Sequence, residues 1–178
     1  CLRWLAGWHG LGPVVVACAE REIAAAVEAA GGRAVLTRAD HASGSDRVFE
    51  AVEAVDSNAR HDLVVNLQGD LPTIEGGAVR AVCGPLADPA VEIATLAAPL
   101  GRPDEADDAN VVKAVVSVAD GAKSGRALYF SRAPVPRGSG RRFHHIGIYA
   151  YRRAALARFV ALSPSPLEAR ERLEQLRA

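Results

Sequence analysis

Residues 64–74 read VVNLQGDLPTI, an apolar run that ends in groups suited to binding a ligand. Buried strands of parallel sheets are almost continuously apolar, so Gln68, Gly69 and Asp70 need a reason beyond packing. Ligands of open α/β sheets bind at the carboxyl ends of the strands, and a carboxylate there can hold a hard cation such as Mg²⁺. The alternative is that Asp70 caps the helix or turn that follows. From these residues alone, both interpretations stay open.

The loop at residues 38–47, RADHASGSDR, is the segment densest in groups that can do chemistry. It follows a predicted strand, so we expect it at the same edge of the sheet as the QGD sequence. Backbone N–H groups around Gly44 and at the start of the next helix could bind an anionic or amide-like ligand. The alternative is a polar loop in which Ser45 or Asp46 caps the helix and Arg47 faces solvent. Density and position together favour function.

Further polar side chains lie in or beside apolar runs. Lys113 interrupts NVVKAVV, and a lysine in a buried strand needs a carboxylate, a phosphate or an open edge for its charge. Arg132 follows YFS and could bind a carboxylate. For both residues the alternative is a salt bridge at the sheet edge. His144 and His145 precede IGIYAY, but two histidines without a third ligand are weak evidence for zinc, and a surface role is the alternative.

These side chains must be positioned by alternating strands and helices. Strands are predicted at VVVAC, RAVLT, DLVVNLQGD, EIATLAAPL, NVVKAVVSV, the apolar run after residues 121–125 and HHIGIYAYR. Helices are predicted at CLRWLAGW, residues 20–30, around 48–52, near 76–86, at YRRAALARFVAL and at SPSPLEARERLEQLR, whose charged face is typical of solvated surface. The alternation indicates right-handed βαβ units. We predict one domain over residues 1–178, with a three-layer α/β/α fold and a mixed, mostly parallel sheet.

Composition limits the possible functions. The 21 Lys and Arg residues balance the 21 Asp and Glu residues, which argues against a general nucleic-acid or membrane-surface binder. Three cysteines without CxxC spacing favour neither a disulfide framework nor a zinc site, and they indicate the cytoplasm. No apolar run reaches the length of a membrane helix. The chain contains no methionine and ends in a helical pattern without a cap, so we expect a piece of a longer chain.

Six segments together resemble the 3-deoxy-manno-octulosonate cytidylyltransferases, also called CMP-Kdo synthetases. The segments, which occur in the order and spacing found in that family, are TRADHASGSDR, VVNLQGDLPTI, NVVKAVV, ALYFSRAPVP, HHIGIYAYR and SPSPLEARERLEQLR. The resemblance implies a nucleotide-diphospho-sugar transferase-like, Rossmann-like fold. It also implies cytidylyl transfer from CTP to Kdo, which gives CMP-Kdo and pyrophosphate for lipopolysaccharide biosynthesis. Mg²⁺ is the implied cofactor, and a cytoplasmic homodimer is the implied assembly.

The same resemblance implies roles for individual residues. Asp70 would be the Mg²⁺ ligand, with Gln68 and Lys113 as further catalytic residues near the sugar and the phosphates. The residues implied for the cytosine and ribose pocket are His41, Ser43 and Gly44, with Arg38 close by. The residues implied for the Kdo site are Arg132, which would receive the carboxylate, and His145, Tyr149, Glu174 and Gln175.

Two segments typical of the family have no counterpart in this sequence. One is an N-terminal loop that cradles the triphosphate, and the other follows LEQLR and carries the second metal-binding aspartate. We therefore expect a nucleotidyltransferase domain that is incomplete at both ends. Two alternatives stay open: a catalytically inactive, truncated module of the same fold, and a cytidylyltransferase for another 2-keto sugar acid.

Overall fold

The computed structural model of the protein describes residues 12–71 and 73–178. Contacts divide the chain into two compact units. Unit 1 comprises the described residues up to Ala94 together with Ile148–Ala161, and unit 2 comprises Thr95–Gly147 and Leu162–Ala178. The helix predicted at CLRWLAGW lies outside the described residues. The single domain over residues 1–178 stays a prediction.

Unit 1 begins with a strand–helix–strand arrangement, as predicted. Strand β1 (Val16–Cys18) leads through helix α1 (Arg21–Ala29) to strand β2 (Ala34–Leu36). The two strands pair in parallel, with Val16 opposite Ala34. Helix α1 stops near Gly31, whose φ of 79° lies in the left-handed region that glycine adopts without a steric penalty.

Helix α2 (Gly44–Val55) confirms the helix predicted around residues 48–52. Its N-cap is Ser43, so the alternative in which Ser45 or Asp46 caps the helix is wrong. The Ser43 hydroxyl accepts a hydrogen bond from the backbone N–H of Asp46 at 3.3 Å and donates to the Asp46 carboxylate at 2.8 Å. These two bonds stabilise the first turn of the helix.

Strand β3 (Leu63–Leu67) pairs antiparallel with the end of strand β7 (Phe143–Arg152), with Leu63 opposite Arg152 and Leu67 opposite Ile148. The prediction that β3 continues a parallel series after β2 is therefore corrected. A continuous apolar run indicates a buried strand, but it does not determine the direction of the neighbour with which the strand pairs.

A hydrophobic cluster forms the core of unit 1. It joins β3, β7 and helix α4 (Arg153–Ala161), while α2 packs against it. Its buried members are Val64, Tyr149, Tyr151 and Leu156. The two tyrosines lie on the same face of β7, as their spacing predicts. Unit 1 also contains helix α3 (Gly76–Cys83), which continues as a 3-10 helix over Gly84–Ala87.

Unit 2 contains the hairpin of strands β5 (Lys113–Ser117) and β6 (Arg126–Ser131). The register shifts between Val115 and Val116, and β5 also pairs antiparallel with the start of β7. At Gly125 a Cβ atom would collide with the carbonyl group of Ser117, so the hairpin requires glycine there. Strand β4 (Ile93–Pro99) pairs with β7. A 3-10 helix covers Pro103–Ala106.

The end of the chain differs from the prediction. Helix α5 covers only Pro166–Glu171, and a separate 3-10 helix covers Glu174–Arg177, so the single helix predicted through LEQLR is wrong. The break occurs at Arg172, which adopts the left-handed conformation with φ 54°. This turn lets Leu173 pack into the second core, with Ala114 and Phe130.

The α/β class is confirmed, because helices accompany strands that pair both in parallel and antiparallel. Across residues 12–71 and 73–178, no helix is both long enough and apolar enough to cross a membrane.

Candidate functional site

In unit 1 the structure brings Arg38 and His41 together around one carboxylate. The His41 ring contacts the carboxylate of Glu50, and the Arg38 backbone N–H donates to the same group at 3.2 Å. Although burial raises the pKa of Glu50, the hydrogen bonds from His41 and Arg38 outweigh it and lower the pKa. The Glu50 carboxylate therefore organises two residues that the resemblance assigns to the nucleotide pocket.

A surface cavity of about 570 Å³ lies beside this network. Its lining includes residues from the loop, from α2 and from α4: Arg38, Asp40, His41, Ala42, Asp46, Phe49, Glu50, Glu53 and Val160. Ser43 and Gly44 are not among them. The hydroxyl of Ser43 caps α2, and Gly44 is the first residue of that helix, with no atom near the position of a Cβ. Two of the four predicted nucleotide-pocket residues thus line the cavity.

Gln68 and Asp70 directly follow β3, which ends at Leu67. Gln68 is half-buried and Asp70 is exposed. The next helix, α3, has Glu75 as its N-cap, so the alternative in which Asp70 caps a helix is not observed. Within the described part of the chain, no three His, Cys, Asp or Glu side chains lie together as a metal site. Asp70 can therefore supply a single carboxylate ligand.

Asn66 is a buried amide that was not predicted as a site residue. Its side chain lies in β3 beside the unit 1 core, with 3% of its surface exposed. Its Nδ2 atom has no hydrogen-bond partner among the described residues. A polar residue inside VVNL was the available signal, since a buried amide is normally paired.

In unit 2, Arg132 and Glu171 belong to one hydrogen-bonded polar cluster. The Arg132 guanidinium donates from Nε to the main-chain oxygen of Glu171 and from Nη1 to the main-chain oxygen of Ala109, both at 2.9 Å. The carboxylate of Glu171 accepts from the Ser131 hydroxyl at 2.7 Å and from the Arg132 backbone N–H at 2.9 Å. Glu171 was not predicted as a site residue, because the charged face of the last helix is typical of solvated surface.

His145 is buried in unit 2, with 7% of its surface exposed. Its Nε2 atom lies 2.9 Å from the Thr95 hydroxyl, and the ring makes an edge contact with Phe130. Burial, followed by the neighbouring His144, lowers the pKa of His145 to about 4. The ring is therefore neutral at pH 7, where it can both accept and donate a hydrogen bond.

Lys113 is fully buried at the start of β5, which confirms that this charge lies in a buried strand. Its ammonium donates to the main-chain oxygen of Asp108 at 2.9 Å. Burial lowers the pKa of Lys113, and the nearby carboxylates of Asp108 and Asp107 oppose that effect. The salt bridge that was its alternative is not observed between described residues, since the nearest partner is a carbonyl.

The other predicted Kdo-site residues are distributed over both units. Glu174 and Gln175 begin the 3-10 helix of unit 2, the unit that also holds Arg132, His145 and Lys113. Tyr149 belongs to unit 1, where it is buried and stacks on Tyr151. The structure therefore places Tyr149 in a hydrophobic core.

Comparisons with known proteins agree on one family. The family profile described as "Cytidylyltransferase" matches residues 9–178. The chain is 68% identical over 168 residues to the 3-deoxy-manno-octulosonate cytidylyltransferase of Rhodospirillum centenum. This match covers 94% of the chain and 65% of that relative. It is 62% identical over 169 residues to the enzyme of the same name from Methylobacterium radiotolerans, covering 95% and 68%. The chain thus spans about two thirds of the length of these curated relatives.

A solved structure supports the same assignment. It is described as CMP:2-keto-3-deoxy-manno-octonic acid synthetase complexed with CTP, and it matches with a TM-score of 0.86 at 38% identity. The match covers 99% of this chain and 71% of that one. The chain belongs to the cytidylyltransferase family, and within it to the 3-deoxy-manno-octulosonate cytidylyltransferases.

Proposed function

We propose that the protein transfers a cytidylyl group from CTP to the anomeric hydroxyl of Kdo, giving CMP-Kdo for lipopolysaccharide biosynthesis and pyrophosphate. The observation that carries this proposal is the setting of Arg132. Its guanidinium is fixed by two main-chain oxygens, and no carboxylate of the described residues lies within ion-pair distance of it. A positive charge held in this way suits the carboxylate of a sugar acid. The names of the relatives indicate that this acid is Kdo.

In the proposed reaction the Kdo hydroxyl oxygen forms a bond to the α-phosphorus of CTP. The bond from that phosphorus to the bridging oxygen breaks, and pyrophosphate leaves. Such a transfer depends mainly on positioning and on neutralising charge. Arg38 and His41 would bind the nucleotide, together with Ser43 and Gly44. Lys113 would add positive charge near the phosphates.

The sugar acid would be held by residues of complementary chemistry. Arg132 would bind the carboxylate, and the neutral ring of His145 would bind a sugar hydroxyl. Glu174 and Gln175 would add contacts to the sugar hydroxyls, and Gln68 would lie near the sugar and the nucleotide.

Asp70 would hold the proposed Mg²⁺. When it is bound, this ion neutralises charge on the phosphate oxygens of CTP. Magnesium is usually held by one or two carboxylates together with phosphate oxygens and water. An exposed carboxylate directly after β3 fits one of those positions. We also infer a cytoplasmic homodimer from the family, and we propose no nucleic-acid or membrane partner.

The test is a pyrophosphate-release assay with CTP, Kdo and Mg²⁺. It uses the full open reading frame that contains this sequence, as wild type and as Arg132→Ala. We expect the KM for Kdo to rise about 10- to 100-fold in the variant, because a hydrogen bond to a charged group contributes about 1.5–3 kcal/mol. The KM for CTP should stay close to that of the wild type.

Arg158→Ala is the matched control, because Arg158 is exposed and pairs with Glu92 on the surface of unit 1. It should leave both KM values unchanged. Faster turnover with another 2-keto sugar acid than with Kdo would move the proposal to that substrate. No pyrophosphate release with any sugar acid would support the alternative of an inactive module.

A further inference from the structure

Glu171 occupies a fixed position at the end of α5 in unit 2. The start of this helix is closed by a capping box, in which Ser165 accepts from the Glu168 N–H and the Glu168 carboxylate accepts from the Ser165 N–H, both at 3.1 Å. Glu168 also pairs with Arg177 at 2.6 Å, which ties the helix to the following 3-10 helix. The helix that carries Glu171 is therefore held at its start by the capping box and, through Arg177, by the segment that follows it.

The Glu171 carboxylate receives its hydrogen bonds from one short stretch of chain. The hydroxyls of Tyr129 and Ser131 donate to Oε1 at 3.3 Å and 2.7 Å, and the backbone N–H of Arg132 donates to Oε2 at 2.9 Å. Tyr129 and Ser131 alternate along β6, so their side chains lie on the same face. The carboxylate thus holds the end of β6 at the point where the chain reaches Arg132.

The main chain of Glu171 makes a second contact, to the Arg132 side chain. Its carbonyl oxygen accepts from Nε, while the carbonyl of Ala109 accepts from Nη1. A guanidinium group has five N–H donors in one plane, and these two contacts fix that plane. The donors on Nη2 make no hydrogen bond to the described residues.

Arg132 differs in its partners from Arg153 and Arg177, although Arg152 of unit 1 is likewise bound by main-chain oxygens. Arg153 pairs with the carboxylates of Asp56 and Glu53 at 2.7 Å and 2.6 Å, and Arg177 pairs with Glu168. Those positive charges are neutralised within the protein. At Arg132, by contrast, the nearby carboxylate is occupied by neutral donors, so the guanidinium is oriented without forming an ion pair.

We infer that Glu171 is a positioning residue for Arg132, and that it orients the guanidinium so that its outer edge can receive the carboxylate of the sugar acid. This inference rests on the proposed function of Arg132. In Glu171→Gln either the amide NH2 group faces the Arg132 N–H, or the hydroxyls of Tyr129 and Ser131 must accept from that group instead of donating. In both orientations a charge-assisted hydrogen bond to the carboxylate is lost.

The experiment is a double-mutant cycle on the full open reading frame, with wild type, Glu171→Gln, Arg132→Ala and the double variant. We expect Glu171→Gln to raise the KM for Kdo about tenfold, because one charge-assisted hydrogen bond is lost. The KM for CTP should not change. In the Arg132→Ala background the same change should have no further effect. An equal effect in both backgrounds, or no effect in either, would overturn the inference.

A second readout does not depend on turnover. In a ¹⁵N-labelled protein, the Nε–H signal of Arg132 should be resolved in the wild type, and it should broaden or move in Glu171→Gln. An unchanged signal in Glu171→Gln refutes the inference. If the signal moves but Arg132→Ala leaves the KM for Kdo unchanged, the positioning role stands and the proposed function fails.

Glu105→Gln is the matched control. The Glu105 carboxylate also accepts two backbone N–H groups in unit 2, from Gly101 at 2.8 Å and from Arg102 at 3.1 Å. This substitution should leave both the KM for Kdo and the Arg132 signal unchanged. Thermal melting of each variant identifies any that fail to fold.

Discussion

The environment of His145 keeps its ring neutral at pH 7. Its pKa of about 4 in the folded protein lies below the ordinary value of 6.5, because burial disfavours the imidazolium. Between these two pH values the unfolded chain binds more protons than the folded one, so stability falls as the pH falls. The ring thus makes the protein sensitive to mild acid.

We predict that the wild type loses about 2 kcal/mol more than His145→Gln when the pH falls from about 7 to about 5. Urea unfolding at the two pH values measures this difference. Because of this low pKa, the ring signals should also stay nearly constant over that range in an NMR titration. A titration midpoint near the ordinary value would contradict the prediction.

At the scale of single residues, the sequence identified polar groups better than it identified their partners. Lys113 and Arg132 stood out because each interrupts or ends an apolar run, and the structure places both in polar clusters. Glu171 could not be recognised, because its neighbours in sequence are also charged. Its role depends on three donors about 40 residues away, and no local pattern reports contacts of that range.

At the scale of elements, one carboxylate joins the end of α2 to the start of α4. Asp56 accepts from the backbone N–H groups of Arg60 and His61 at 3.0 Å and 2.9 Å, and it pairs with Arg153 at 2.7 Å. Desolvation raises the pKa of Asp56, but the hydrogen bonds from residues 60 and 61 outweigh it and lower the pKa to about 2. This contact determines where both helices meet.

We predict that Asp56→Asn lowers the melting temperature by several degrees, because Arg153 loses its buried partner. Glu53→Gln removes the other, more exposed partner of the same arginine and should have a smaller effect. The contribution of Asp56 is present above about pH 4 and is lost as the pH falls toward about 2. Equal effects of the two substitutions would contradict this assignment.

The type of each element was predicted more reliably than its length or the strand with which it pairs. The apolar patterns located the strands and most helices, because periodicity is a local property. The antiparallel pairing of β3 with β7 joins residues about 85 positions apart, which no short pattern contains. Helix α5 ended early because Arg172 adopts a left-handed conformation that its residue type does not signal.

At the scale of the whole molecule, each unit has its own hydrophobic core. Leu156 is fully buried in the cluster of unit 1. We predict that Leu156→Ala lowers the free energy of unfolding by about 2–5 kcal/mol, through lost burial and the cavity that remains. Urea unfolding measures the effect.

Leu162→Ala is the control for this prediction, because Leu162 is the same residue type but 48% exposed. It should change the free energy of unfolding by less than about 0.5 kcal/mol. Similar losses for both variants would mean that the Leu156 cluster is not the core of its unit.

The hairpin of β5 and β6 has a practical consequence for attaching a spectroscopic label. Ser124 and Gly125 are adjacent and both exposed, so exposure alone would recommend either for a cysteine-linked fluorophore. Only Gly125, however, lies where any Cβ atom would strike the Ser117 carbonyl. A label at Ser124 should report on the intact hairpin, whereas a label one residue later would first force its two strands apart.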